Sequence, residues 1–374
     1  MNPDRALMPD YLRLIALFGI VVVNVQFFAY SISISDETAP AVSIADQITK
    51  FLVEGLATLK SYGLFSFMFG VGLGFLMASA ERRSIDFGPL YRRRMIGLLI
   101  LGFLHGTLFF YGDILFIYGL MGSLLYLMRN WSVRRLTRMG TILLVASVGI
   151  GSLLMLGEGG IPQEFLDLEA VVMTEGSFFD VFLFRSVSFA IVVFLLIFIQ
   201  GIAALGWFCL GLAAVKAGII DQPDHPIWAK ARSIALIPSV ALSLIGAGMT
   251  VWGDMTVGQF IVAAAAPLAT LGYLGLIAQL SRHPGPITQK LLAVGGSSLS
   301  IYLGQSILLS LIFAPYGLGL WEQVGLATAE LIAVSVTIAL IMALSLWRLK
   351  FRLGPFEWVL RRFTYGRAQK NGAS

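Results

Sequence analysis

SVSFAIVVFLLIFIQGIAALGWFCLGLAAV, residues 186–215, carries no charged side chain in thirty positions. About 20 apolar residues suffice for a helix to cross the hydrocarbon core of a bilayer, so this segment alone marks the chain as a membrane protein. The rest agrees with it. Of 374 residues, 57% are hydrophobic and 13% charged, against roughly 45–50% and about 25% in a soluble domain. No soluble fold hides that much apolar surface. A lipid-facing barrel is excluded by the unbroken apolar runs, because its strands alternate in polarity. Forty glycines suit helices that pack closely in lipid.

Working outward from 186–215, spans are expected near 12–30, 52–80, 95–111, 114–128 and 139–157 before it, and near 233–252, 257–280, 291–313 and 325–347 after it. The first is too long for the apolar core of a signal peptide and reads as a retained span. The third and fourth are joined only by Tyr111-Gly112-Asp113 and read as one tight hairpin. With both termini inside, 23 of the 26 lysines and arginines fall in inner segments: Arg5 and Arg13, Arg82 to Arg94, Arg129 to Arg138, Lys216 to Arg232, Arg282 and Lys290, and Arg348 to Lys370. Only Lys50, Lys60 and Arg185 fall on or near the outer side. One span more or fewer would scramble this positive-inside alternation. The outer stretch 161–180 is acidic, with Glu164, Asp167, Glu169, Glu175 and Asp180. The fold class expected is therefore all-α, a polytopic bundle of about ten transmembrane helices over 1–352, N-in and C-in, followed by a cytoplasmic amphipathic tail, 353–374. In that tail Phe356, Val359, Leu360 and Phe363 share one helical face beside Arg361 and Arg362, the pattern of an interfacial helix.

Ionisable groups inside spans are costly and usually functional. His105 lies two turns before the outer end of the third span; His225 and His283 occupy proline-containing inner loops. An imidazole there serves as a general base or nucleophile, or as a neutral hydrogen-bonded group between helices. Asp113 invites pairing with His105, but a turn centred on Gly112 sets His105 opposite Gly119 and leaves Asp113 about 12 Å away along the axis at 1.5 Å per residue. Asp113 then reads as the N-cap of the fourth span. Lys60, eight residues into the second span, either snorkels outward or binds an anionic substrate group. Asn24, Gln26, Ser66 and Gln305 supply hydrogen bonds, to substrate or between helices. Gly70, Gly72 and Gly74 form a packing face rather than a phosphate loop, and Gly102 with Gly106 brings another helix close to His105. Cys209 reads as a small buried hydrophobe. No histidine, cysteine and carboxylate cluster has metal-ligand spacing.

Leu64-Phe65-Ser66-Phe67-Met68-Phe69-Gly70, Leu90-Tyr91-Arg92-Arg93-Arg94, Leu104-His105-Gly106, Gly112-Asp113-Ile114-Leu115 and Gly354-Pro355-Phe356-Glu357-Trp358, with Leu360-Arg361 and Thr364-Tyr365-Gly366, together resemble the YeiB-like family of bacterial multi-pass membrane proteins. The segment 295–306 resembles the family's ninth-span motif through Tyr302, Leu303, Gln305 and Ser306, and departs from it at Gly296 and Ile301, where arginine and asparagine are expected. More distantly, Asp10-Tyr11-Leu12-Arg13 is similar to the opening of a superfamily of membrane acyltransferases that includes heparan-α-glucosaminide N-acetyltransferase and bacterial polysaccharide O-acetyltransferases. The resemblance implies a bacterial inner-membrane protein that transfers an acyl group from cytoplasmic acyl-CoA to an envelope glycan or lipid acceptor. Its expected machinery is His105 and Asp113 as catalytic groups, Asn24, Lys60 and Gln305 at the acceptor, and Arg13, Arg92, Arg93 and Arg94, with Arg348 and Arg352 as further cations, for the donor's phosphates. Fourteen residues after Asp10, where the O-acetyltransferases have histidine, this chain has Asn24, which cannot act as a base. No tightly bound cofactor and no nucleic acid is expected; the partners are the bilayer, acyl-CoA and the acceptor, with a homodimer as candidate assembly. A transporter or exporter of a small or lipidic substrate, or a non-catalytic envelope protein, are the other classes these residues allow.

Overall fold

The computed structural model describes residues 7–31, 43–155, 160–285 and 292–366. Arg5, Lys290, Arg367 and Lys370, counted above among the inner charges, lie outside the described residues, as does the tail beyond residue 366. The described residues are helical, without a strand. In chain order the helices are α1 (Met8–Asn24), α2 (Gln26–Ala29), α3 (Ile44–Leu56), α4 (Lys60–Arg82), α5 (Phe87–Leu108), α6 (Leu115–Leu127), α7 (Val133–Met155) and α8 (Gln163–Glu175). They continue with α9 (Phe178–Leu196), α10 (Ile202–Lys216), α11 (Pro226–Ala231), α12 (Ile237–Trp252), α13 (Met255–Leu280), α14 (Ser298–Phe313), α15 (Leu326–Lys350) and α16 (Pro355–Tyr365). Joining those that run on through a turn gives 8 helices long and apolar enough to cross a membrane among the described residues. The α5–α6 hairpin adds the 22-residue and 13-residue helices under the third and fourth expected spans. The protein is a multi-pass helical membrane protein.

The arginine-rich loops meet at one end of the bundle. Lys216 Nζ donates to the Trp131 carbonyl at 2.8 Å, Arg282 pairs with Asp224 at 3.0 Å, and Arg129 stacks on Tyr126, whose ring lies flat against Tyr91. Within the bundle α4 and α10 pack backbone to backbone. A Cβ on Gly70 would strike the backbone of Phe208, and one on Gly211 the backbone of Phe67. Gly74 faces Val215 on the same seam, whereas Gly72 points into open space. Phe69 stacks on Phe208 with ring centroids 4.4 Å apart, and Ser66 and Tyr118 share a buried hydrogen bond of 2.7 Å.

Several expected boundaries move. The stretch 52–80 is two helices: α3 begins eight residues earlier, and the chain breaks at Leu59, whose φ is +64°. Asp46 in the first turn of α3 accepts the Ala327 N–H at 2.9 Å, capping α15 from another helix. The acidic stretch 161–180 holds α8 instead of an open loop, with Glu169 and Met173 turned inward. The apolar run 186–215 begins its helix at Phe178 and passes through a π turn at Ile197–Gly201.

The tail helix α16 is docked rather than merely laid on a surface. Leu360 and Thr364 are buried, and Leu360 and Phe363 lie against Gly97 of α5, while Val359 and Trp358 stay exposed, so the four apolar residues split between two faces. Glu357 reaches across to the start of α14 and accepts from the backbone N–H groups of Leu299 and Ser300 at 2.6 and 3.0 Å and from the Ser300 hydroxyl at 2.5 Å. It thus fills from outside the capping role that α14, preceded by a 3₁₀ turn (Ala293–Ser297), has no local side chain to fill. Hydrogen bonds to a charged group contribute about 1.5–3 kcal/mol. Glu357→Ala is expected to release the tail, seen as faster tryptic cleavage after Arg361 and Arg362 in the folded protein and a lower melting temperature; unchanged cleavage would remove the capping role.

Candidate functional site

The α5–α6 hairpin fixes the site by its register. A Cβ on Gly119 would meet Leu99, and one on Gly102 would meet the Phe116 backbone, so the facing positions are 99 with 119 and 102 with 116. The next pair on this register is 105 with 113. His105 Nδ1 and Asp113 Oδ1 are 2.7 Å apart. The expected 12 Å separation is therefore wrong, because α5 ends at Leu108 and the turn is centred three residues earlier than the Gly112 centre assumed from the sequence. The N-cap position itself falls to Ile114, but Asp113, two residues before α6, still satisfies its first turn: Oδ2 accepts the Phe116 N–H at 2.7 Å.

Gly102 makes this contact sterically feasible, since any side chain there would overlap the Asp113 carboxylate. Gly106 lets the Phe189 ring of α9 sit against the other side of the turn. The small pair thus admits a second helix beside His105, as its spacing suggested. Tyr302 of α14 completes the cluster; its ring centroid lies 5.1 Å from that of His105, and its hydroxyl is 3.5 Å from Asp113 Oδ1. The Phe116 N–H and the Tyr302 hydroxyl both donate to this carboxyl group. A carboxylate only accepts, so Nδ1 carries the hydrogen and Nε2 presents a lone pair. Nε2 has no hydrogen-bond partner among the described residues. His105 is 2% exposed and Asp113 0%, so the dyad is closed to solvent.

Above the dyad, toward the arginine-poor end, Arg185 is buried although sequence reading left it near the outer surface. It donates from Nη1 to the Leu108 carbonyl at 3.1 Å, to Ser310 at 2.8 Å and to Tyr316 at 2.8 Å. A cation at the last carbonyls of α5 is favourable to the helix dipole and pins the turn that carries Asp113. Beside it a crevice of about 10 Å³ lies between Tyr111, Glu169, Arg185 and Trp321, room for about one water.

The other expected site residues are elsewhere. Lys60 is 0% exposed and donates to the Glu54 carbonyl at 2.9 Å, closing the C-terminal end of α3; it neither snorkels nor faces a cavity. Gln305 gives its amide to Thr337 at 2.8 Å, a bond between α14 and α15. Asn24 is half-buried at the end of α1. Arg13 pairs with Asp10 at 2.9 Å and lies within electrostatic range of Arg94, as does Glu357. Arg92 and Arg93 are exposed. These cations gather at the arginine-rich end, and Arg94 stands eleven residues, about 16 Å, along α5 from His105. Sequence reading missed Glu330 of α15, 7% exposed with one carboxylate oxygen unpartnered, and Tyr302 as a member of the site. The signal for Tyr302 was its place in the ninth-span motif; for Glu330 it was the only acid within an otherwise apolar span.

A family model described as "Protein of unknown function (DUF418)" matches residues 214–367, covering α14, Tyr302 and the docked tail. The chain is 31% identical over 393 residues to "Uncharacterized protein YxaH" of Bacillus subtilis (strain 168), covering 98% of this chain and 95% of that one. It belongs to the YeiB-like, DUF418 family. "Uncharacterized protein YeiB" of Escherichia coli (strain K12) is 26% identical, with 96% of each chain covered. A 39.9 kDa protein from the amylase 3′ region of Bacillus acidopullulyticus is 23% identical over 96% of this chain and 93% of its own. No solved structure matches. Within this YeiB-like chain the family-model region supplies Tyr302 and the tail, while His105 and Asp113 come from the part before it.

Proposed function

We propose that this protein is an inner-membrane acyltransferase that uses His105 as general base. The observation that carries the reading is the division of labour on one imidazole: Nδ1 is held by Asp113 at 2.7 Å, and Nε2 is left without a partner. In the step this supports, Nε2 takes the proton of an acceptor hydroxyl, the freed oxygen attacks the thioester carbonyl of acyl-CoA, and the thiol leaves with a proton. Asp113 and Tyr302 are positioning residues in it. Of the four cations expected for the donor's phosphates, Arg13, Arg93 and Arg94 keep that role in this reading, while Arg92 turns to a separate groove; the acceptor is an envelope glycan or lipid reached from the arginine-poor end. The reading makes one physical demand: because His105 is closed on all sides, the α5–α6 turn must part from α14 before either substrate reaches Nε2.

The test uses purified protein with radiolabelled acetyl-CoA and an envelope lipid and glycan extract. Label transfer is expected with the native chain, with at least a hundredfold loss in His105→Ala, the scale of general-base catalysis at about 10²–10⁴. Transfer undiminished in His105→Ala, or no acyl-CoA stabilising the native protein, would sink the reading. The second reading, a transporter, is favoured by Glu330, a buried carboxyl with one oxygen unpartnered among the described residues, since ionisable groups inside spans mark ion pathways. Flux into proteoliposomes that Glu330→Gln abolishes and His105→Ala spares would select it.

A further inference from the structure

A groove of about 460 Å³ runs along the arginine-rich half of the hairpin, between α5 and the end of α6. Its size is that of a ligand site; Gly88, Pro89, Met95, Ile96 and Leu99 line it from α5 and Ser123 from α6. Tyr91 and Tyr126, stacked with centroids 5.5 Å apart, line it near the base. Tyr91 is fixed there by its hydroxyl, which donates to the Gly122 carbonyl at 2.9 Å. Arg92 lines it as an exposed cation.

Three properties select the occupant. The groove extends from Gly88 to Leu99, about 16 Å along the helix, which is one leaflet of a core about 30 Å thick. Its cation and tyrosines are at the charged end of α5 and its aliphatic walls further in, the order of a phospholipid's headgroup, interface and chain. It opens sideways onto a face that continues as exposed Ile100, Phe103, Leu124 and Leu127, so a lipid enters laterally and needs no aqueous route. We propose that this groove is a site for one anionic phospholipid, with the phosphate on Arg92 and an acyl chain along Met95, Ile96 and Leu99. The site is independent of the chemistry at His105, which lies six residues beyond Leu99.

The full chain, purified in detergent and delipidated, is tested by native mass spectrometry with dioleoyl phosphatidylglycerol and dioleoyl phosphatidylcholine. One phosphatidylglycerol is expected to be retained in preference to phosphatidylcholine by roughly five- to tenfold. Arg92→Gln should erase that preference, and Ser123→Trp, which fills the groove, should remove retention of both. Because Arg92 is exposed, its variant should melt like the native chain without lipid, which separates loss of the site from loss of the fold. Equal retention of the two lipids by the native chain would overturn the assignment, and so would phosphatidylglycerol held as well by Ser123→Trp. Displacement by palmitoyl-CoA at equal concentration, or a second copy of the chain cross-linked across Ile96, would overturn it in favour of those occupants.

Discussion

Gly70→Leu is expected to prevent the protein from accumulating in folded form, while Gly72→Leu, two residues along the same helix, should be tolerated. The contrast follows from one seam. Gly70 of α4 lies against the Phe208 carbonyl of α10, and Gly211 of α10 lies reciprocally against the Phe67 carbonyl of α4, so two backbones touch with nothing between them. In lipid there is no hydrophobic gain from bringing helices together; close packing of small residues takes its place. A leucine at 70 meets main-chain atoms that no rotamer change can move, so the helices must separate along the seam. Overpacking costs about 1–3 kcal/mol where side chains can adjust, and a backbone clash stands at or above the top of that range. Loss of the Phe69–Phe208 stack and strain at Tyr118, which packs edge-on against Phe208 at 5.0 Å, add to it. Gly72 has open space where a Cβ would go, and replacing a helical glycine there relieves a propensity cost of about 0.5–1 kcal/mol. Detergent extracts heated in steps and run on size-exclusion chromatography measure both variants. Equal melting of Gly70→Leu and the native protein would refute the seam.

The same residues show how much the sequence exposes. That glycines 70 and 74 form a packing face was legible, because their four-residue spacing puts them on one side of a helix. Gly72, expected on the same face, is not part of it: two residues from each of the others, it points to the other side of the helix, into open space. The spans were legible from composition, and a helix lies under each expected one. Helix ends were not. In an aqueous protein, polar residues mark a turn, but Phe109, Phe110 and Tyr111 are as apolar as the helix before them, and the turn they form is packed inside the protein. Phe110 stacks on Phe28 at 4.7 Å. The turn centre lies three residues before Gly112, and that shift brings His105 and Asp113 into contact. Lys60 shows the complementary limit: a lone lysine in an apolar run advertises a function, yet its partner is a carbonyl six residues back, made available only by the break at Leu59. Tyr302 reaches the site across 188 residues of chain from Ile114. No local pattern encodes that contact.

Asp113→Leu and Asp113→Asn are expected to fail in different ways, and the difference measures what the carboxylate does. The leucine variant leaves the His105 Nδ1–H and the Phe116 N–H buried without acceptors. Each unsatisfied buried donor costs about 1–3 kcal/mol. The hairpin should loosen, with a large fall in melting temperature. Asparagine keeps the shape and one carbonyl oxygen. That oxygen can still accept from Phe116, but the amide NH₂ then faces His105 Nδ1, which must accept instead of donate. The imidazole is driven to its other tautomer, and Nε2 becomes a donor with no lone pair for a substrate proton. In a serine-protease triad the equivalent amide swap lowers kcat by about 10⁴. Asp113→Asn should therefore melt close to the native protein and yet lose acyl transfer by about 10³-fold or more. Nitrogen-15 spectra of histidine-labelled protein report the change directly, since His105 has only His225 and His283 to be distinguished from. If Asp113→Asn keeps both full transfer and the native tautomer, the pairing is a structural bond and His105 is not the base. If it loses transfer with the tautomer reversed and the fold intact, the contact that the hairpin register creates is the one that sets the chemistry.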